Sequence, residues 1–392
     1  MNRIFSAIVL CSLSLALYAQ GGIDGALDAI ERNNTTLSAL RSTLDAQKLE
    51  NHTGLTLPNP EVEFGYLWGS PSEIGKKKDV NASQSFDFAT LSGAKKRLAR
   101  QQDQLADCQY RTDRMNILLE ARQLCLDIVY YNALLKELDI RLATSREIES
   151  AQKKRLDSGD ITRMEYNNVA LDLAAILAEK NRNESERDAL LADLQRLNGG
   201  IPISLSDTEF PLLSVPDNFD SWYAEAEKKS PMLSYVKQEI EVAKRQVALS
   251  KADGMPTFSL GFAGEYVVGE RFQGATIGFS IPLWGNKNRV RQAKAEVMAA
   301  KARQEDAHRQ FYGTLQSLFN RQKGLWNTVE TFSVALSSTD NTILLKKALD
   351  AGSISTVDYL LGSRLYYDAI NQRLDALRSW HKLWAEMNAY AL

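Results

Sequence analysis

Leu156-Asp157-Ser158-Gly159-Asp160-Ile161-Thr162-Arg163-Met164-Glu165-Tyr166 and Leu349-Asp350-Ala351-Gly352-Ser353-Ile354-Ser355-Thr356-Val357-Asp358-Tyr359 are two versions of one helix reversal. In each, glycine supplies the left-handed residue that ends a helix. Three residues on, Thr162 or Ser355 is placed to cap the next helix, and Glu165 or Asp358 completes a capping box. The chain is expected to turn sharply twice and become helical again at once. Two equivalent reversals suggest hairpin ends lying together at one end of the molecule.

The helices entering these turns are long. No proline falls between Gly93 and Ser158, and Leu98, Leu105, Leu119, Leu126, Ala133 and Ile140 keep a seven-residue beat, with Thr112 the polar exception. A shift of 192 carries the series onto Val290, Val297, Phe311, Leu318, Leu325 and Phe332, with Gln304 at the exceptional place. A strict heptad implies left-handed coiling against partner helices. Some 60 residues of helix would reach roughly 90 Å, far more than a bilayer core and of the order of a periplasmic span. A structural coiled coil satisfies the same beat.

The whole chain is written twice. Leu37-Ser38-Ala39-Leu40 aligns with Leu233-Ser234-Tyr235-Val236 at a shift of 196, which also carries Pro60 onto Pro256 and Gly65 onto Gly261. Gly93, Lys95 and Arg97 match Gly285, Lys287 and Arg289, and Gly159, Ile161 and Tyr166 match Gly352, Ile354 and Tyr359. The repeats are expected to cover about 20–199 and 220–392, joined by a linker at 200–219.

Each repeat also carries two stretches of period-two alternation, the pattern of a two-faced strand. Val62, Phe64, Tyr66 and Trp68 form the first apolar face and Phe86 with Phe88 the second; Phe258, Leu260, Phe262 and Tyr266, then Ile277, Phe279, Ile281 and Leu283, form the others. Lys76-Lys77-Lys78 reads as a solvated surface loop between the first two strands, with contact to anionic lipid headgroups as the alternative. Two hairpins leave open edges that invite pairing with other chains. The helices are too long and polar to wrap them, so lipid is expected on the apolar face, with a small soluble sandwich as the alternative.

Lys+Arg of 47 against Asp+Glu of 49 gives a net charge of -2, which offers no attraction for nucleic acid. Arg3, the apolar run Ile4 to Leu17, and Ala19 before Gln20 have the layout of a secretory signal over 1–19, an uncleaved anchor being the alternative. No other stretch is long and apolar enough for a spanning helix. Cys108 and Cys125 read as small packing residues on one helix. His52, His308 and His381 are far apart and the seven Met residues form no cluster, so no metal-ligand set and no cofactor is expected. Neither a phosphate-cradling glycine loop nor a nucleophile elbow is present, and no enzyme activity is expected.

With these turns, strands and doubled helices, the chain resembles the TolC-like outer membrane efflux family, and within it the branch serving heavy-metal resistance pumps. Pro58-Asn59-Pro60, Met255-Pro256, Leu91-Ser92-Gly93-Ala94-Lys95-Lys96-Arg97, the block from Ser280 to Arg289 and both glycine turns carry the resemblance, which covers nearly the whole mature chain. It implies a mainly α chain of long antiparallel coiled-coil hairpins with four strands. Three chains would close a 12-stranded outer-membrane barrel above a periplasmic helical tunnel.

The resemblance also implies a homotrimer set in outer-membrane lipid, a periplasmic membrane-fusion adaptor, and an inner-membrane pump of the RND type. Adaptor docking would fall on Gly159, Asp160, Ile161, Thr162, Gly352, Ser353, Ile354 and Ser355. Asp358 occupies the place where family members narrow the tunnel with an acidic ring, although its capping role needs no gate. Leu361 departs from the pattern where a second acid can occur. The expected function is passive export of heavy-metal cations or small toxic compounds. The rival is a periplasmic coiled-coil adaptor or scaffold that makes no pore, and it gives no reason for four aromatic-faced strands.

Overall fold

The computed structural model describes residues 22–214, 216, 218–284, 286–338 and 342–392, so the signal-sequence expectation and Gly285 lie outside the described residues. The first half runs α1 (Gly22–Asn33), α2 (Thr35–Asn51), β1 (Glu61–Trp68), β2 (Lys76–Phe86), α3 (Phe88–Leu91), α4 (Ala94–Asp157) and α5 (Arg163–Leu197). The second runs α6 (Phe219–Lys229), α7 (Pro231–Ala252), β3 (Thr257–Val267), β4 (Glu270–Ser280), α8 (Arg289–Ser338), α9 (Thr342–Asp350) and α10 (Thr356–Met387). Each half keeps the expected order, except that its opening helix is divided, the short α3 precedes the long helix of the first half, and the long helix of the second is described as α8 and α9. Asn34 Oδ1 accepts from Leu37 N at 2.8 Å, and Ser230 Oγ accepts from Leu233 N ahead of Pro231, so a new helix is capped at both places.

α4 is one helix of 64 residues, about 96 Å at the standard rise. Among the described residues no helix is both long and apolar enough to cross a membrane.

The chain divides into two compact units. One comprises Ala39–Arg114 and Tyr223–Thr314 and contains the sheet. Its four strands pair antiparallel in the order β1-β2-β3-β4, which leaves β1 and β4 as open edges. Val62 stands opposite Ala82, Ala82 opposite Phe262, and Phe262 opposite Ala275; Phe86, Phe258 and Phe279 form another row. Directly paired residues share a face. One face therefore carries Val62, Phe64, Val80, Phe86, Phe258, Leu260, Phe262, Ile277 and Phe279, while Glu63, Asn81, Ser83, Gly261 and Thr276 lie on the other. The chain does not cover the apolar face: Val62 is 75% exposed and Phe279 75%.

Three strand expectations are corrected. Lys76-Lys77-Lys78 is not a loop but the start of β2, paired with Trp68, Leu67 and Tyr66. Phe88 is not in that strand. Asp87 accepts from Thr90 N at 2.7 Å and turns Phe88 into the first residue of α3. β4 likewise ends at Ser280, before Ile281 and Leu283.

The other unit comprises the described parts of Met1–Ser38, with Met115–Trp222 and Leu315–Leu392. Ile30 of α1 packs with Ala121, Cys125, Ile128 and Val129 of α4 and Leu194 of α5, all fully buried. Cys125 is a free thiol that burial pushes up to about 12, consistent with a packing residue. Further along, Leu135, Leu138 and Leu142 of α4 meet Ile176 of α5 and Ile370 and Leu374 of α10. The heptad period is present in α4 but its deepest line is Ala121, Ile128, Leu135 and Leu142, two positions on from the expected series, and Ile140 is 53% exposed. The chain's own core takes one seam of the helix and leaves a second partly open.

Candidate functional site

Both glycine reversals lie in this second unit, and they are built alike. Gly159 has φ +85° and Gly352 φ +68°, with open space where a Cβ would stand, so each glycine answers to backbone conformation rather than crowding. Asp160 N donates to Arg155 O at 2.8 Å and Gly159 N to Leu156 O at 3.0 Å; Ser353 N donates to Ala348 O at 2.9 Å and Gly352 N to Leu349 O at 3.0 Å. These bonds satisfy the last carbonyls of α4 and α9.

The capping boxes follow as expected. Thr162 Oγ1 accepts from Glu165 N at 3.2 Å while Thr162 N donates to Glu165 Oε2 at 2.8 Å. Ser355 Oγ accepts from Asp358 N at 3.1 Å while Ser355 N donates to Asp358 Oδ2 at 3.2 Å. The Thr162 bonds hold the Glu165 carboxyl below its ordinary value.

Beneath the turns the two hairpins meet. Ile148 of α4, Val169 of α5, Leu349 of α9 and Tyr359 of α10 form one buried cluster, with Ile354 of the second turn packed on it. Lys346 of α9 pairs with Glu147 of α4 across the same junction. The expected docking residues are thus brought to one end of this packed group. Gly159, Asp160, Thr162, Gly352, Ser353 and Ser355 are exposed, and Ile161 and Ile354 are half-buried. An open groove of about 930 Å³ lies beside the second turn, lined by Arg146, Glu147, Lys154 and Arg155 of α4 and by Leu349 and Gly352.

Asp358 is exposed on α10 and shares its open face with Leu361, 58% exposed, and Leu365, 74% exposed. Behind that face lies a polar cluster that the sequence did not reveal. Arg141 is 3.8 Å from Asp172 and 3.6 Å from Glu179, and its guanidinium sits 5.0 Å from the Tyr367 ring centre. Burial holds the Asp172 carboxyl above its ordinary range, against the pull of Arg141, and pushes Tyr367 up to about 12. Charges scattered along helix surfaces give no sequence signal for such a cluster, because the partners come from three different helices.

The histidines do not converge: His52 pairs with Asp103 at 2.7 Å, His308 with Glu227 at 3.2 Å, and His381 is buried. Among the described residues no group of His, Cys, Asp and Glu could hold a metal ion.

Comparison with known proteins agrees with this architecture. Residues 222–391 match the family described as "Outer membrane efflux protein". The alkaline protease secretion protein AprF of Pseudomonas aeruginosa is 22% identical over 433 residues, covering 100% of this chain and 88% of AprF. TolC of Escherichia coli is 20% identical over 303 residues, covering 69% of this chain but only 60% of TolC. The open state of the Neisseria gonorrhoeae MtrE outer membrane channel superposes with a TM-score of 0.76 and 15% identity, 94% of this chain and 88% of MtrE being covered.

Proposed function

We propose that this chain is a member of the outer membrane efflux protein family, which residues 222–391 match, and one of three identical subunits of a passive export duct. It is a protein of the outer membrane of a Gram-negative bacterium, reaching into the periplasm, and it is a channel component rather than an enzyme. The observation that carries the reading is the uncovered apolar face of an open-edged four-stranded sheet. Backbone groups at a sheet edge must be paired in lipid, and closure with two further copies, giving twelve strands, pairs them all. A coiled-coil adaptor has no use for such a sheet.

In this reading the two repeats, about 20–199 and 220–392 with linker 200–219, form a single duct domain, and the long helices line a tunnel. The turns at Gly159 to Thr162 and Gly352 to Ser355 receive a periplasmic adaptor, which couples the duct to an inner-membrane pump of the RND type. Asp358 narrows the tunnel. The energy for transport comes from the pump, since the chain offers no nucleotide-binding loop of its own.

Protein purified from outer membranes should be a trimer that conducts ions in planar bilayers. Recovery as a water-soluble monomer would sink the reading. For cargo, we favour heavy-metal cations or small toxic compounds. The name of AprF points to a competing cargo, a secreted polypeptide. Deleting the chain separates the two: metal and drug sensitivity supports efflux, whereas loss of one protein from the culture medium with unchanged sensitivity supports secretion.

A further inference from the structure

Tyr66, Lys78, Tyr266 and Arg271 stand in one row across all four strands, and Trp68 and Lys76 pair one step nearer the β1–β2 turn on the same face. The geometry points to a binding surface for the phosphate groups of an outer-leaflet glycolipid, formed by Lys76, Lys78 and Arg271 at the upper rim of the barrel. The inference rests on the outer-membrane duct reading.

Position comes first. These residues adjoin the strand-to-strand turns at 69–75 and 268–269, whereas the opposite strand ends, at Glu61, Phe86, Thr257 and Ser280, lead toward helices. Helices that enter the periplasm put the turns at the cell exterior, where the leaflet carries phosphorylated glycolipid. Below the row the same face is apolar, with Phe64, Val80, Phe262 and Ile277. An apolar band bordered by tyrosine and tryptophan marks the level where hydrocarbon gives way to headgroups.

Charge comes second. Lys76 Nζ and Lys78 Nζ each lie 5.9 Å from the Tyr66 ring centre, and Arg271 Cζ lies 5.0 Å from that of Tyr266. All three cations are exposed. Rings beneath the cationic heads hold them at headgroup level while their stems cover apolar surface. The strand positions of this face carry no acidic residue; Asp79 and Glu265 are at alternate positions on the other face, where Lys77 pairs with Glu265 at 2.7 Å and with Asp79 at 3.5 Å. The one lysine of the triplet that points inward is neutralised, whereas the two that point outward and Arg271 form a cationic group open to an anionic partner. Strand spacing puts Lys78 roughly 10 Å from Arg271 and roughly 7 Å from Lys76, the dimensions of a single headgroup bearing two phosphates.

Wild-type trimer in lipid nanodiscs should retain bisphosphorylated lipid A in native mass spectra at least on the order of tenfold better than a phosphate-free form. The triple variant Lys76→Gln, Lys78→Gln, Arg271→Gln should lose that preference. Equal retention of the two lipids by the wild type, or an undiminished preference in an inserted triple variant, overturns the inference. If the variant does not insert, the wild-type lipid comparison decides alone. Bilayer conductance keeps the two readings apart: a conducting wild type indifferent to phosphate sinks only the lipid surface, whereas a wild type that neither inserts nor conducts sinks the duct itself.

Discussion

Asp358 and Ser355 bond to each other in both directions: Asp358 N donates to Ser355 Oγ at 3.1 Å, and Asp358 Oδ2 accepts from Ser355 N at 3.2 Å and from its hydroxyl at 2.7 Å. The carboxylate is therefore a helix cap and an exposed charge at once, and the two roles separate by substitution. Asp358→Asn keeps an acceptor and removes the charge; Asp358→Ala removes both and should cost about 1 kcal/mol more in thermal unfolding. If three Asp358 carboxylates narrow the tunnel, both variants should shift the reversal potential in a salt gradient away from cation preference. Unchanged current and selectivity in Asp358→Asn would leave only the cap.

Leu361 lies one turn beyond Asp358 on the same exposed face of α10. Placing a second carboxylate there should strengthen the field along the tunnel axis. Leu361→Asp is expected to raise cation over anion permeability by several-fold, since clefts lined with one sign of charge concentrate counter-ions by about 10-fold or more. A reversal potential equal to that of the wild type would place this face away from the ion path.

The turn glycines make a stability prediction that is independent of any partner. Gly159 and Gly352 are left-handed, with nothing near the missing Cβ. Gly159→Ala or Gly352→Ala should each cost about 1–2 kcal/mol through backbone strain alone, and Gly→Asn at the same positions should cost less. Melting temperatures of the three proteins check the order. A turn that docks an adaptor predicts in addition that Gly159→Asn weakens adaptor capture more than its small stability loss explains.

The turns and capping boxes were legible because they depend on residues close together in sequence. Glycine, Thr162 and Glu165 act within a few positions of one another, and no distant packing can overrule them. The beginning of β2 was not legible. Lys76-Lys77-Lys78-Asp79 has the composition of a solvated turn, and only pairing with Leu67 and Tyr66 shows alternate lysines going to opposite faces. Phe88 shows the opposite case: its alternation with Phe86 masks a local signal, the Asp87 cap three residues before Thr90. The heptad seam shows a third case. Period is set by the helix, but phase is set by which neighbours supply the core, and Ala121 and Cys125 at the tightest packing are too small to stand out in a search for leucines.

The two faces of the sheet should respond oppositely to charge. Phe262 lies in the middle of the apolar face, while Asn81, paired with Glu63 and Ala263, lies on the other. Phe262→Arg puts a cation in hydrocarbon and should destabilise the inserted barrel by about 2–4 kcal/mol, greatly reducing heat-resistant trimer in the outer membrane fraction. Asn81→Arg should insert normally and alter conductance. Equal trimer yields from the two variants would contradict the assignment of faces.

His381 gives a pH dependence whose sign is fixed by burial. Its ring stacks on Phe210 at 4.7 Å and meets Trp380 edge-on at 4.8 Å, and among the described residues its buried Nδ1 has no hydrogen-bond partner. Desolvation lowers its pKa from 6.5 to about 4. The unfolded chain therefore binds a proton that the folded chain refuses, so the contribution to stability is complete above 6.5 and is lost as pH falls toward 4. The loss is on the order of 3 kcal/mol per subunit over that window. His381→Phe keeps a flat ring in the stack and has no proton to gain. Its melting temperature should gain on that of the wild type steadily between pH 6.5 and 4, with no change in their difference above 6.5. Parallel melting curves across the window would mean that His381 is protonated in the folded chain, and that the pocket beside Phe210 admits water.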